Sequence, residues 1–140
     1  VTSTEPKAIE TGQIVGKQLG IAVETAPDLH EHERPGIDLD TVEQFQAKVG
    51  RLLQHPGEQV FGAETGDEAR DRFTAAVGDV MRQHPGGNLA IVSHGTVMTL
   101  FVARAAGIDP VPFWRKLGLP AFVVLSYPGL ALLDVVARVV

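Results

Sequence analysis

Ser93-His94-Gly95 stands where two sequence patterns meet. Before it, Leu89-Ala90-Ile91-Val92 is a short apolar run that predicts a buried strand. After it, Val97, Leu100, Phe101 and Arg104 recur at helical spacing and predict a helix from Thr96 to Gly107. A histidine at such a joint sits at the carboxyl end of a strand and the amino end of a helix. Free backbone N–H groups and the helix dipole make that place attractive to an anion. Gly95 lets the backbone approach a ligand closely. The chemistry this implies is phosphate binding; the plain alternative is a turn whose histidine caps backbone.

Two further segments carry groups that could work with His94. Lys7 falls in the first turn of a predicted helix, where a cation faces the positive end of the dipole at a cost of about 0.3–1 kcal/mol. An anion bound at the same end would offset that cost; otherwise Lys7 is a solvated surface residue. Leu29-His30-Glu31-His32-Glu33-Arg34 packs carboxylates and imidazoles into one stretch. It could supply a general acid, or metal ligands from His30, His32 and Glu33 together with His94, or it could be a charged solvated loop. His-x-His without a third ligand at recognisable spacing is weak support for a metal.

The elements that must position these groups alternate between helix and strand. Thr4 to Gly20 reads as a helix with Thr4 as N-cap, Pro6 in its first turn, an inward stripe of Ala8, Gly12, Val15 and Leu19, and Gly20 as its stop. Ile21–Thr25 could be a short strand, 26–38 is a polar loop, and Leu39–Gln54 a helix ended by His55-Pro56-Gly57. Thr65 with Glu68 forms a capping box opening a helix whose inner face is Ala69, Phe73, Ala76, Val77 and Val80. Pro110–Leu117 is a short segment containing Trp114. Ala121–Ser126 and Leu130–Val136, joined by Tyr127-Pro128-Gly129, then read as two strands. Alternation of this kind predicts an α/β domain, a mainly parallel sheet covered by helices, with ligands at the carboxyl ends of the strands.

The chain of 140 residues suffices for one domain with a core. A net charge of −5, with no basic cluster, argues against nucleic acid as a partner. Cysteine is absent, which excludes disulfides, zinc–thiolate sites and thiol nucleophiles and fits a cytoplasmic setting. The apolar tail from Leu117 is interrupted by Tyr127-Pro128-Gly129, Asp134 and Arg138, so it is not a membrane span. The chain opens on Val1-Thr2-Ser3, without methionine or targeting segment, as if at the end of a strand. A preceding segment is expected.

Four segments, in order, resemble the histidine phosphatase superfamily, the branch with cofactor-dependent phosphoglycerate mutases and many phosphomonoesterases. They are Val1-Thr-Ser-Thr-Glu-Pro-Lys7-Ala8-Ile-Glu-Thr11, then Leu29-His-Glu31, then Gly62-Ala-Glu64-Thr65 leading to Arg72, and His84-Pro-Gly-Gly-Asn-Leu-Ala-Ile-Val-Ser-His94-Gly-Thr-Val. The last is the most specific. The resemblance implies phosphoryl transfer through a phosphohistidine, with no cofactor and no metal ion. His94 is then the second, phosphate-binding histidine and Glu31 the acid that protonates the leaving oxygen. Lys7 stands where the family usually has arginine, keeping the charge without the bidentate fork. Ser3, Gly95 and Thr96 complete the expected phosphate-binding set.

One family motif has no counterpart. The nucleophile's Arg-His-Gly does not occur, and the one His-Gly is His94-Gly95. The resemblance therefore implies a phosphoglycerate-mutase-like α/β domain whose first strand is absent from this chain. It implies a phosphomonoester hydrolase acting on a small phosphorylated metabolite. The alternatives are an inactive phosphate- or phosphopeptide-binding module of the same fold, and a phosphoglycerate mutase.

Overall fold

The computed structural model describes residues 1–35 and 40–139. Five helices and one hairpin follow in chain order: α1 (Pro6–Leu19), α2 (Val42–Gln54), α3 (Gly66–Gln83), α4 (Gly95–Ala106), α5 (Pro110–Lys116), β1 (Phe122–Leu125) and β2 (Leu132–Val136). The only sheet among the described residues is the antiparallel β1–β2 pair, which runs from Phe122 opposite Val136 to Val124 opposite Asp134 and then shifts register to put Leu125 opposite Leu132. The expectation of a mainly parallel sheet is corrected accordingly. Among the described residues parallel pairing is confined to Thr2, which bridges Thr25 on one side and Val92 on the other. The physical reason is length: Val1–Ser3 runs straight on to α1 at Pro6, leaving one bridge for each neighbour.

That small parallel core still orders the chain. Thr2 N–H donates to Glu24 O at 2.8 Å, Ser3 N–H to Val92 O at 2.9 Å, and Val92 N–H to Val1 O at 2.9 Å. The expected strands Ile21–Thr25 and Leu89–Val92 are therefore reduced to single bridging residues. Leu89–Val92 is not buried either: Leu89, Ile91 and Val92 are half-buried and Ala90 is exposed. On its side away from Val1–Ser3, the N–H and C=O of Ile91 have no protein partner among the described residues.

Helix ends follow local chemistry. Thr65 caps α3 reciprocally with Glu68, as its spacing predicts, and Thr41 does the same for α2 with Gln44. That second box sets the α2 start at Val42; the expected start at Leu39, like the end of the 26–38 loop, lies outside the described residues. Gly20 and Gly107 close α1 and α4 in the left-handed conformation. Helix α4 begins one residue earlier than the apolar spacing suggests, with His94 itself as N-cap.

Helix α1 departs from its sequence reading at both the cap and the buried face. Pro6 occupies the first turn, so Glu5, not Thr4, is the N-cap. Ala8 and Gly12 are buried as expected and Gly16 joins them, while Val15 is 40% and Leu19 66% exposed. Small residues win because the helix lies directly on the parallel core. A Cβ on Gly12 would come within 2.3 Å of Thr2 Cγ2, and one on Gly16 within 2.4 Å of Val23 Cγ2. Gly12→Ala is expected to cost about 1–3 kcal/mol by overpacking against buried Thr2, read as a lower urea midpoint at unchanged slope.

Most of the apolar core lies between α3 and α4, where Phe73 and Phe101 meet edge to face at 5.4 Å, with Leu29, Val77, Val80, Val97 and Val102 around them. A second cluster joins α2 to α5 through Val49, Leu53, Leu100 and Val111. No helix among the described residues is long and apolar enough to cross a membrane.

Candidate phosphate site

Parallel pairing determines what meets at the site. Val1–Ser3 and Val92 point the same way, so Ser3 and His94 leave the core at the same end, where α1 and α4 begin. Ser3 Oγ lies 2.8 Å from His94 Nε2, and Glu5 Oε2 lies 2.5 Å from the same nitrogen. The His94 side chain is 12% exposed and makes no capping bond to its own helix. Burial pushes its pKa below the ordinary imidazole value; the Glu5 and Glu31 carboxylates oppose this, while Lys7 and Arg34 reinforce it. At neutral pH the ring is therefore predominantly uncharged, and its tautomer decides whether Nε2 donates or accepts.

Glu31 reaches the amino end of α4 from across the fold. Its Oε2 accepts from Thr96 N–H at 3.0 Å, and its Oε1 accepts from Val97 N–H at 2.9 Å and from His32 N–H at 2.9 Å. Arg34 pairs with Oε2 at 3.1 Å, donates from Nη1 to Thr96 Oγ1 at 3.0 Å, and stacks 5.1 Å above the Phe45 ring. The sequence places a phosphate on the α4 amides; in the fold a side-chain carboxylate of the chain already caps Thr96 and Val97. Gly95 N–H has no partner among the described residues.

The loop carrying Glu31 is fixed from α3. Arg72 donates to the carbonyls of Asp28 (2.9 Å), His30 (3.1 Å) and Glu31 (3.3 Å), and forks onto Glu64 at 2.6 and 3.2 Å. Burial raises the Glu64 pKa, but the Arg72 bond and charge and the Glu33 N–H outweigh it, and the net shift is downward. Ser93 Oγ donates to Leu29 O at 2.8 Å, tying the loop to the turn before α4. His32 is 2% exposed, with Nε2 2.7 Å from Glu64 O and its ring against Phe61. It faces the protein interior. His30 pairs with Glu33 at 3.2 Å. No three His, Asp or Glu side chains converge on a metal position among the described residues.

Of the residues singled out from the sequence, Ser3, Glu31, His94, Gly95 and Thr96 come together. Lys7 stands at the rim, exposed and without an ion pair among the described residues, near enough to influence His94. Glu5 and Arg34 were not singled out. A signal for Glu5 did exist: proline at the first helical position makes the preceding residue the cap. Arg34 had no comparable signal, because its role depends on Thr96 and Phe45, both distant in sequence.

Two helix starts meeting at a histidine, with a hydroxyl beside it and a cation at the rim, form an arrangement that can hold an oxyanion. The family model of the histidine phosphatase superfamily (branch 1) matches residues 1–129, and the chain belongs to that superfamily. Membership suggests phosphoryl transfer, of the phosphatase or mutase type. No curated protein matches the chain.

Proposed function

We propose that this protein hydrolyses small phosphomonoesters through a phosphohistidine, with the attacking histidine carried by a segment outside residues 1–140. The observation that carries this reading is the cluster of His94, Ser3 and Lys7 at the paired starts of α1 and α4. Two histidines must face one phosphoryl group, one to attack and one to hold it. His94 supplies one; His30 and His32 belong to the loop, and His55 and His84 end α2 and α3. An Arg-His-Gly strand along the open edge at Ile91 would finish beside His94, with the rigid support that in-line attack needs.

In that reaction the attacking imidazole forms an N–P bond as the ester P–O bond breaks. For this Glu31 must first release one of its amide donors and take up a proton from solvent on the freed oxygen; the protonated carboxyl then gives that proton to the leaving oxygen. Water then attacks phosphorus as the N–P bond breaks, giving a proton back to the Glu31 carboxylate and freeing phosphate and imidazole. The presence of a single histidine at the site also favours a second reading, a binding module for phosphate or phosphopeptide.

Orthovanadate and inorganic phosphate should bind residues 1–140 and perturb the His94 ring resonances. His94→Ala should weaken that binding about tenfold with little loss of stability, since the alanine variant forgoes one imidazole hydrogen bond to the anion. With metal chelated, the 140-residue chain should not turn over an aryl phosphate, whereas a longer chain bearing the Arg-His-Gly strand should. Robust turnover by the 140-residue chain, abolished in His94→Ala, would make His94 the nucleophile and overturn the assignment.

A further inference from the structure

Glu5 is placed oddly for a helix cap. Its carboxylate makes no bond to the amides of α1 and turns instead to His94 Nε2, 2.5 Å away. It is 42% exposed and has no other side-chain partner among the described residues. In this respect it is the opposite of Glu31, whose oxygens are engaged by three backbone N–H groups and Arg34. An anion seated on His94, Ser3 and Lys7 has to lie against Glu5.

An ionised carboxylate only accepts hydrogen bonds. An oxyanion without a proton therefore meets lone pairs and like charge on that side, whereas one with a P–O–H can donate to Glu5. Inorganic phosphate keeps at least one proton near neutrality, and a phosphomonoester keeps one until its second ionisation at about pH 6. Sulfate and phosphodiesters keep none. From this geometry we infer that Glu5 is a specificity-determining residue: it selects protonated phosphate and phosphomonoester monoanions over sulfate, sulfate esters and phosphodiesters. The inference rests on the phosphate-site reading above and narrows its substrate class.

The test uses the 140-residue chain at pH 6 and follows the His94 ring resonances during titration with phosphate, methyl phosphate, sulfate and dimethyl phosphate. The wild type should bind the first two at least about tenfold more tightly than the last two, the scale of one charge-assisted hydrogen bond gained against one repulsion. Glu5→Gln, which offers an N–H in place of an oxygen, should bring phosphate and sulfate to within about twofold, mainly by strengthening sulfate. Glu5→Asp keeps a carboxylate and should keep the preference. Equal binding of phosphate and sulfate by the wild type, or an undiminished preference in Glu5→Gln, overturns the role of Glu5 and leaves the phosphate site standing. If no anion moves His94 in either protein, the site reading itself fails and the selectivity with it.

Discussion

Arg72→Ala is expected to destabilise the fold by about 3 kcal/mol, since it removes one partner of a largely buried ion pair and leaves the other charge uncompensated. The two side chains are 16% and 12% exposed, and Arg72 also satisfies the carbonyls of Asp28, His30 and Glu31. For a chain of this size the melting temperature should fall by about 10 °C. Arg72→Lys should lie between, because an ammonium keeps the charge but cannot fork onto Glu64 while reaching three carbonyls. The pH profile gives an independent reading. Folding lowers the Glu64 pKa from 4.5, so its stabilisation is present above that value and is lost as pH falls through the folded one. The wild type should therefore lose stability on acidification below about pH 4.5, and Arg72→Ala should show a shallower acid limb over the same window. A melting temperature within about 2 °C of wild type, with an unchanged acid limb, would show that this network does not hold the Glu31 loop.

Gly62→Ala should cost about 2–4 kcal/mol through two effects that add. Gly62 has φ +80°, which strains any residue with a Cβ, and that Cβ would sit 2.2 Å from Glu33 O and 2.8 Å from His32 Cε1. Relief is difficult because Ala63 N–H holds the same Glu33 oxygen at 2.7 Å and His32 is locked onto Glu64. Gly20→Ala is the control. Gly20 has φ +67° but nothing within 4 Å of the added methyl, so strain alone applies, about 1–2 kcal/mol. Denaturant midpoints of the two variants separate clash from strain. Equal losses would mean that the loop yields around residue 62.

Local signals in the sequence proved sufficient for some of this protein. The Thr65 and Glu68 spacing set the start of α3, Gly20 and Gly107 ended their helices, and Tyr127-Pro128-Gly129 separated the strands of the hairpin. The change of pattern at Ser93-His94-Gly95 located the start of α4 to within a residue and put a histidine there. These features depend on neighbours a few positions apart, and such interactions survive in any fold. Family membership was legible for the same reason, from short motifs in order. Tertiary structure decided what those motifs face. Thr2 lies between Thr25 and Val92, so α1 buries Gly16 beside the expected Ala8 and Gly12, where the apolar pattern favoured Val15 and Leu19. Glu31 fills the amino end of α4 from 65 residues away, and Glu5 turns from its own helix to His94. Periodicity records which side of an element is apolar, but a hydrogen bond across the fold depends on which elements pack together, and no local spacing encodes that.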